Sequence, residues 1–282
     1  MRQLIGRVRG VRAEITSKNL PLVAAGVAFY GLLAIFPALI AVVKLYGLVA
    51  DPTRISAQIS SAAAAMPQGA ADLITVQLTS MTEVGVGGLS VGLTISLGAT
   101  IWAAAGAVRA LLTGLNVIVE VEEGRGPVKR AVLSLALTLG AMVLALVTLT
   151  LVAAFPVIVG WLGLDPVAAA LAELGRWSTL VAVVVVGLAV LYRWGPDRPR
   201  PRWRWATWGT VVAVGLWAIG SLGFSVYVSN FGRYHQTYGG IAAVIVLMLW
   251  LYLSAFAILI GALIDAVRDR DKDVTQATPA TR

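Results

Sequence analysis

The sequence has no cysteine and a single histidine, and only 13% of its 282 residues are charged. Without cysteine there is no disulfide framework, no thiolate metal site and no thiol nucleophile. His235 stands in a loop with no carboxylate beside it, so it offers neither a metal site nor a general acid–base pair. Soluble domains carry about 25% charged residues; roughly half that density cannot coat a water-facing surface. There is no Gly-x-Ser-x-Gly elbow, no Ser-x-x-Lys pair and no Walker loop, which argues against serine hydrolysis and direct ATP hydrolysis. Nor is there an acid midway along any apolar stretch: all 14 fall in loops, tails or span ends. A buried proton relay or sodium site on Asp or Glu therefore has no candidate, and the chain is expected to be neither an enzyme nor bound to a cofactor or metal.

What the sequence has instead is apolar length. It is 59% hydrophobic with a mean hydropathy of +0.85. A bilayer core needs about 20 apolar residues at 1.5 Å rise each, and six stretches qualify: about 20–50, 86–115, 131–156, 177–192, 205–228 and 238–267. Pro156 is expected to end or kink the third, leaving 157–164 as an interfacial tail. The expected fold is an all-α membrane protein of six transmembrane helices with a short amphipathic helical segment on the outer face. Residues 1–19 form a basic N-terminal segment, 20–267 the transmembrane domain and 268–282 a polar tail. The first apolar run is too long for a signal-peptide core, so an uncleaved first helix is expected.

The net charge of +8 is distributed by side. Eighteen of the 22 basic residues lie in the N-terminal segment, near the junction of spans two and three, between spans four and five, or in the C-terminal tail. Arg54, Arg176 and Arg233 fall on the other side, and Lys44 lies inside the first span. The positive-inside rule then places both termini in the cytoplasm, as an even number of spans requires. Basic loops beside anionic lipid account for this charge, and no nucleic-acid partner is expected. On the outer side, 51–85 reads as two short amphipathic helices around Pro67-Gln68-Gly69, more in keeping with an interfacial lid than with a gate.

An intramembrane cation costs about 2.5–3.5 kcal/mol at a helix centre, which makes Lys44 and Arg109 the first candidates for contact with substrate. Snorkelling is the plainer role for Lys44; Arg109 suits a lipid phosphate and a helix C-terminus equally. Small residues at four-residue spacing, Gly88 and Gly92 on the second span and Ser221, Ser225 and Ser229 on the fifth, favour close helix packing over a polar track. Pro37 lies inside the first span, where it permits a broken helix.

Four stretches, in order along the chain, resemble the YihY/virulence factor BrkB family of bacterial inner-membrane proteins. They are Ala28 to Pro37 with its Tyr30 and Ile35-Phe36-Pro37, Trp102 to Arg109 continuing to Asn116 and the loop Glu120–Arg130, Tyr227 to Gly239 with its Phe231-Gly232-Arg233-Tyr234, and Leu249 to Ala262. One departure stands out: where the family commonly has a Gly-Ala-Glu-like sequence, Gly261-Ala262 is followed here by Leu263, with Asp265 on another face. The resemblance implies a six-helix protein of the bacterial cytoplasmic membrane whose function is unsettled, with an old ribonuclease label regarded as mistaken. It favours a transporter or flippase-like exporter of an amphipathic or lipidic envelope substrate. In that reading Lys44 and Arg109 meet an anionic headgroup; Tyr30, Asn116 and Tyr238 line a polar path; Pro37 and Gly261 serve as hinge or packing positions. The alternative is a non-transporting scaffold for envelope enzymes. Substrate, direction, energy source and oligomeric state are not encoded legibly.

Overall fold

A computed structural model of the chain describes residues 2–49, 86–153, 155–163, 165–198, 207–230 and 235–277. Among them the regular elements are all α-helices: α1 (Arg2–Ser17), α2 (Leu20–Val49), α3 (Val86–Val119), α4 (Pro127–Ala153), α5 (Phe155–Leu162), α6 (Pro166–Trp194), α7 (Trp208–Asn230) and α8 (His235–Ala277). Six of these contain stretches long and apolar enough to cross a membrane: Leu20–Ala38, Val91–Val119, Pro127–Val152, Val167–Trp194, Trp208–Val228 and Ala243–Arg270. The protein is thus an all-α, multi-pass membrane protein. The expected outer amphipathic segment, 51–85, lies outside the described residues.

Several helices extend past their apolar spans, for local reasons. Asp165 caps α6 by accepting bonds from the Val167 and Ala168 amides, and Pro166 occupies the first helical position. Both are start signals, since proline has no amide to waste there and the carboxylate satisfies two orphan donors. The helix of the fourth span, α6, therefore begins well before the aromatic residue Trp177. The charges this encloses are matched internally, with Arg176 on Glu173 one turn away. At the third span, α4 stops at Ala153 and Pro156 sits in the first turn of α5. The last helix continues through the charged tail to Ala277.

α1 and α2 meet at Asn19, whose φ of 51° breaks the helix. Asparagine enters this left-handed region more readily than other non-glycine residues. Inside α2, Pro37 removes one helical amide donor.

The chain divides into two compact units. One comprises Met1–Ala25, Val108–Gly220 and Leu253–Arg282; the other comprises Gly26–Ala107 and Ser221–Tyr252. The first has a core of Leu20, Leu112, Leu115, Ile118, Leu259 and Leu263, all essentially inaccessible. Ser134 and Thr138 are also buried there, each returning its hydroxyl to a carbonyl of its own helix. In the second unit Ser96 and Thr100 do the same along α3. Such self-satisfaction lets a hydroxyl enter an apolar environment. Many other large apolar side chains point outward: Ile219 is 71% exposed and Leu222 70%. That inversion of the soluble pattern is what a lipid solvent produces.

Candidate functional site

In the first unit, the helix ends that carry basic residues are joined by polar contacts. α3 ends in a Schellman-type turn: the Val121 amide donates to the Asn116 carbonyl and the Glu120 amide to that of Val117. Glu120, at φ 61°, occupies the left-handed position usually filled by glycine. Its carboxylate is held by two cations, Lys18 Nζ at 2.7 Å and Arg270 Nη1 at 2.8 Å. Arg270 also reaches Glu14 at 2.6 Å, and Lys18 donates to the Val117 and Ile118 carbonyls. The ammonium thus serves the negative end of α3 as well as the carboxylate. The hydrogen bond and charge of Lys18, with the charge of Arg270, hold Glu120 below its ordinary carboxylate pKa.

A second polar knot ties the loop after α3 to the end of α6. Arg125 donates to the carbonyls of Trp194, Gly195 and Pro196 and lies 3.1 Å from Asp197. One planar guanidinium with five donors can cap a helix C-terminus and bind a carboxylate together. Asp197 in turn accepts from the Gly124 amide. Asn116, buried at 5% exposure, donates to Glu123 and accepts from the Asp197 amide.

Between these helix ends lies a cavity of about 60 Å³. Leu115, Val119, Ala189 and Ala262 supply its apolar wall, while Tyr192, Arg193, Arg198, Thr207, Asp265 and Asp269 supply the polar one. A single water needs about 10–15 Å³ by this measure, so the space holds a few waters or a small polar group. The polar wall is fixed by helix packing. Tyr192 donates its hydroxyl to the Ile258 carbonyl at 2.7 Å. Asp265 accepts from the Gly209 amide at 2.8 Å, so an acid on α8 caps the first turn of α7. Thr207 caps the same turn from its own chain through the Thr210 amide. The crossing of α7 and α8 is close. A β-carbon on Gly261 would lie 2.5 Å from the Gly209 carbonyl and 2.6 Å from the Tyr192 hydroxyl, and one on Gly209 would collide with the Gly261 carbonyl. Arg198 stands 3.9 Å from Asp269, and Arg268 covers the Trp208 ring at 4.9 Å.

The residues singled out by sequence are distributed over both units. Arg109 and Asn116 belong to the first, but neither is among the described residues lining the cavity. Asn116 is a tie between loops. Arg109 is half-buried on α3, in register with the exposed Thr113 and Val117. Gly261 is the close-packed position just described. Tyr30 belongs to the second unit, its ring against Gly106, where a β-carbon would approach to 2.5 Å. Gly88, Gly92, Ser221 and Ser225 lie there too. Gly92 offers its carbonyl to Ser96. Ser221 Oγ is enclosed with no hydrogen-bond partner among the described residues, whereas Ser225 is exposed. Lys44 and Tyr238 are helical, with side chains outside the described set, and Pro37 is internal to α2. Among the described residues no group of His, Asp and Glu is arranged to hold a metal.

Sequence reasoning did not identify the cavity. Tyr192 was not singled out, and Asp265 read as a span-end acid. The available signal was Asp265 following Gly261 by four residues, which puts a carboxylate one turn beyond a close helix approach.

Comparison with known proteins agrees with this architecture. The profile of the family described as Virulence factor BrkB matches residues 11–282. The ribonuclease-like protein YfkH of Bacillus subtilis (strain 168) is 31% identical over 262 residues, covering 91% of this chain and 92% of its own. A UPF0761 membrane protein of Tolumonas auensis is 37% identical over 76 residues, 27% of this chain and 25% of its own. Another, IL2447 of Idiomarina loihiensis, is 32% identical over 88 residues, 31% of each chain. No solved structure matches.

Proposed function

Because the chain belongs to the virulence factor BrkB family of integral membrane proteins, we propose that it moves an amphipathic or lipidic envelope substrate across the bacterial cytoplasmic membrane without covalent chemistry. Its basic helix ends and both termini face the cytoplasm, in keeping with the charge distribution. The observation that carries this reading is the cavity in the first unit. Leu115, Val119, Ala189 and Ala262 give it a greasy wall, while Arg193, Arg198, Asp265 and Asp269 give it a charged one. The space takes a small polar headgroup, with the apolar wall bordering the start of the chain that headgroup carries. In this reading the arginines receive an anionic headgroup, Asp265 and Tyr192 hold the α7–α8 crossing in shape, and Asn116 acts through the loops it ties together.

The test is protein reconstituted into liposomes with fluorescent lipids of several headgroups, against empty liposomes. Protein-dependent movement of an anionic lipid, slowed by Arg193→Gln, is the expected result. Folded protein that moves no lipid of any headgroup contradicts it.

A further inference from the structure

We propose that the face of α3 near its basic end, where half-buried Arg109 and exposed Thr113 are met by Arg130 reaching across from α4, holds one anionic phospholipid of the surrounding leaflet by its phosphate. This site is separate from the cavity and stands whether or not the protein translocates lipid.

Depth is the first argument. α3 has 34 residues, about 51 Å of helix against an apolar core of about 30 Å. With the excess shared between its ends, about 10 Å projects on each side. Arg109, ten residues before Val119 and so about 15 Å from the helix end, then sits just inside the boundary between headgroups and acyl chains. A charge there needs an anion or a route to water. No ion pair or hydrogen bond to its guanidinium occurs among the described residues; Glu120, Asp197, Glu123, Asp269 and Glu14 are engaged with Lys18, Arg125, Arg130, Arg198 and Arg270 respectively.

Convergence is the second. Thr113 follows Arg109 by one turn, is exposed and donates its hydroxyl to the Arg109 carbonyl. The same hydroxyl accepts from Arg130 Nη2 at 3.0 Å. Arg130 is thereby drawn onto the turn that carries Arg109, although Glu123, at 3.9 Å, is its nearest described counter-ion. A guanidinium held at Thr113 and an arginine one helical turn before it suit a phosphate, which accepts forked, charge-assisted bonds.

The test is native mass spectrometry of the purified full-length chain in detergent with added phosphatidylglycerol or phosphatidylcholine. One phosphatidylglycerol is expected to remain bound, with phosphatidylcholine lost. Arg109→Gln should weaken retention about tenfold, the worth of one charged hydrogen-bonding partner, and Arg130→Gln should weaken it as well. Equal retention of the two lipids, or unchanged retention in folded Arg109→Gln, overturns the proposal. If that variant does not fold, a photoreactive phosphatidylglycerol on the wild-type chain decides. Adducts within 109–117 or at Arg130 support the site, and adducts confined to other segments overturn it.

Discussion

At Gly261 a single methyl group would meet the Gly209 carbonyl, the Tyr192 hydroxyl and the Ala213 side chain, all within 2.7 Å. Two of those three belong to fixed backbone or a hydrogen-bonded ring, so the neighbours cannot yield without moving α7 or α6. Gly261→Ala is therefore expected to destabilise the protein by about 1–3 kcal/mol, the usual cost of overfilling a packed contact, while Gly215→Ala, with open space around it, should be close to neutral. Thermal unfolding in detergent, comparing the two, checks this; equal midpoints would show that the crossing is loose. Sequence made Gly261 a packing candidate through its family resemblance, but the reason lay elsewhere in the chain. Gly209, Tyr192 and Asp265 are separated from one another by 17 to 73 positions, and no local spacing announces that they meet. Asn116 was similarly visible as a polar residue in an apolar run, while its partners, Glu123 and Asp197, sit in loops whose mutual approach only folding creates.

Helices were legible where their cause is local. Runs of about 20 apolar residues mark spans because lipid offers the backbone no partner and helix formation satisfies it internally. Pro156 marked the break after α4, which stops at Ala153; proline falls in the first turn of α5, where its missing amide is not needed. Ends were harder where a helix leaves the apolar region. α6 starts at a capped Asp165-Pro166 pair, and α8 runs into the tail because Arg268 and Arg270 have partners in Trp208, Glu14 and Glu120. If the Asp165 carboxylate sets the start of α6, Asp165→Ala should cost about 1 kcal/mol. Hydrogen exchange should then rise in the first turn after Pro166 and not near Trp194. Unchanged exchange there would mean that packing alone holds the helix end.

Across the whole molecule, long-range electrostatics join parts of the chain far apart in sequence: Glu14, Lys18, Glu120 and Arg270 form one network. This network has a pH signature. Glu120 is held below its ordinary value of 4.5 when folded, so the folded state binds its proton less readily than the unfolded chain does. Its stabilising contribution is then complete above about pH 4.5 and is lost as pH falls through the lower, folded value. Unfolding midpoints followed from pH 7 downward should show an acid-induced drop below about 4.5 that is smaller in Glu120→Gln; identical acid profiles would remove Glu120 from the network. High salt should weaken the contribution of this exposed pairing. Composition foretold the membrane, and the charge pattern marked the helix ends that carry basic residues. Neither could indicate that these ends enclose a cavity, since its walls come from four separate segments.

That cavity is the centre of the functional account, and filling it is the most direct test. Ala262→Leu and Ala189→Leu each place a larger apolar side chain into the space from a different helix. Initial rates of anionic-lipid translocation in liposomes should be measured for both, with unfolding midpoints taken alongside. Translocation abolished in both variants, with midpoints near wild type, is the predicted result. Wild-type rates with the cavity filled would place the substrate elsewhere and contradict the account.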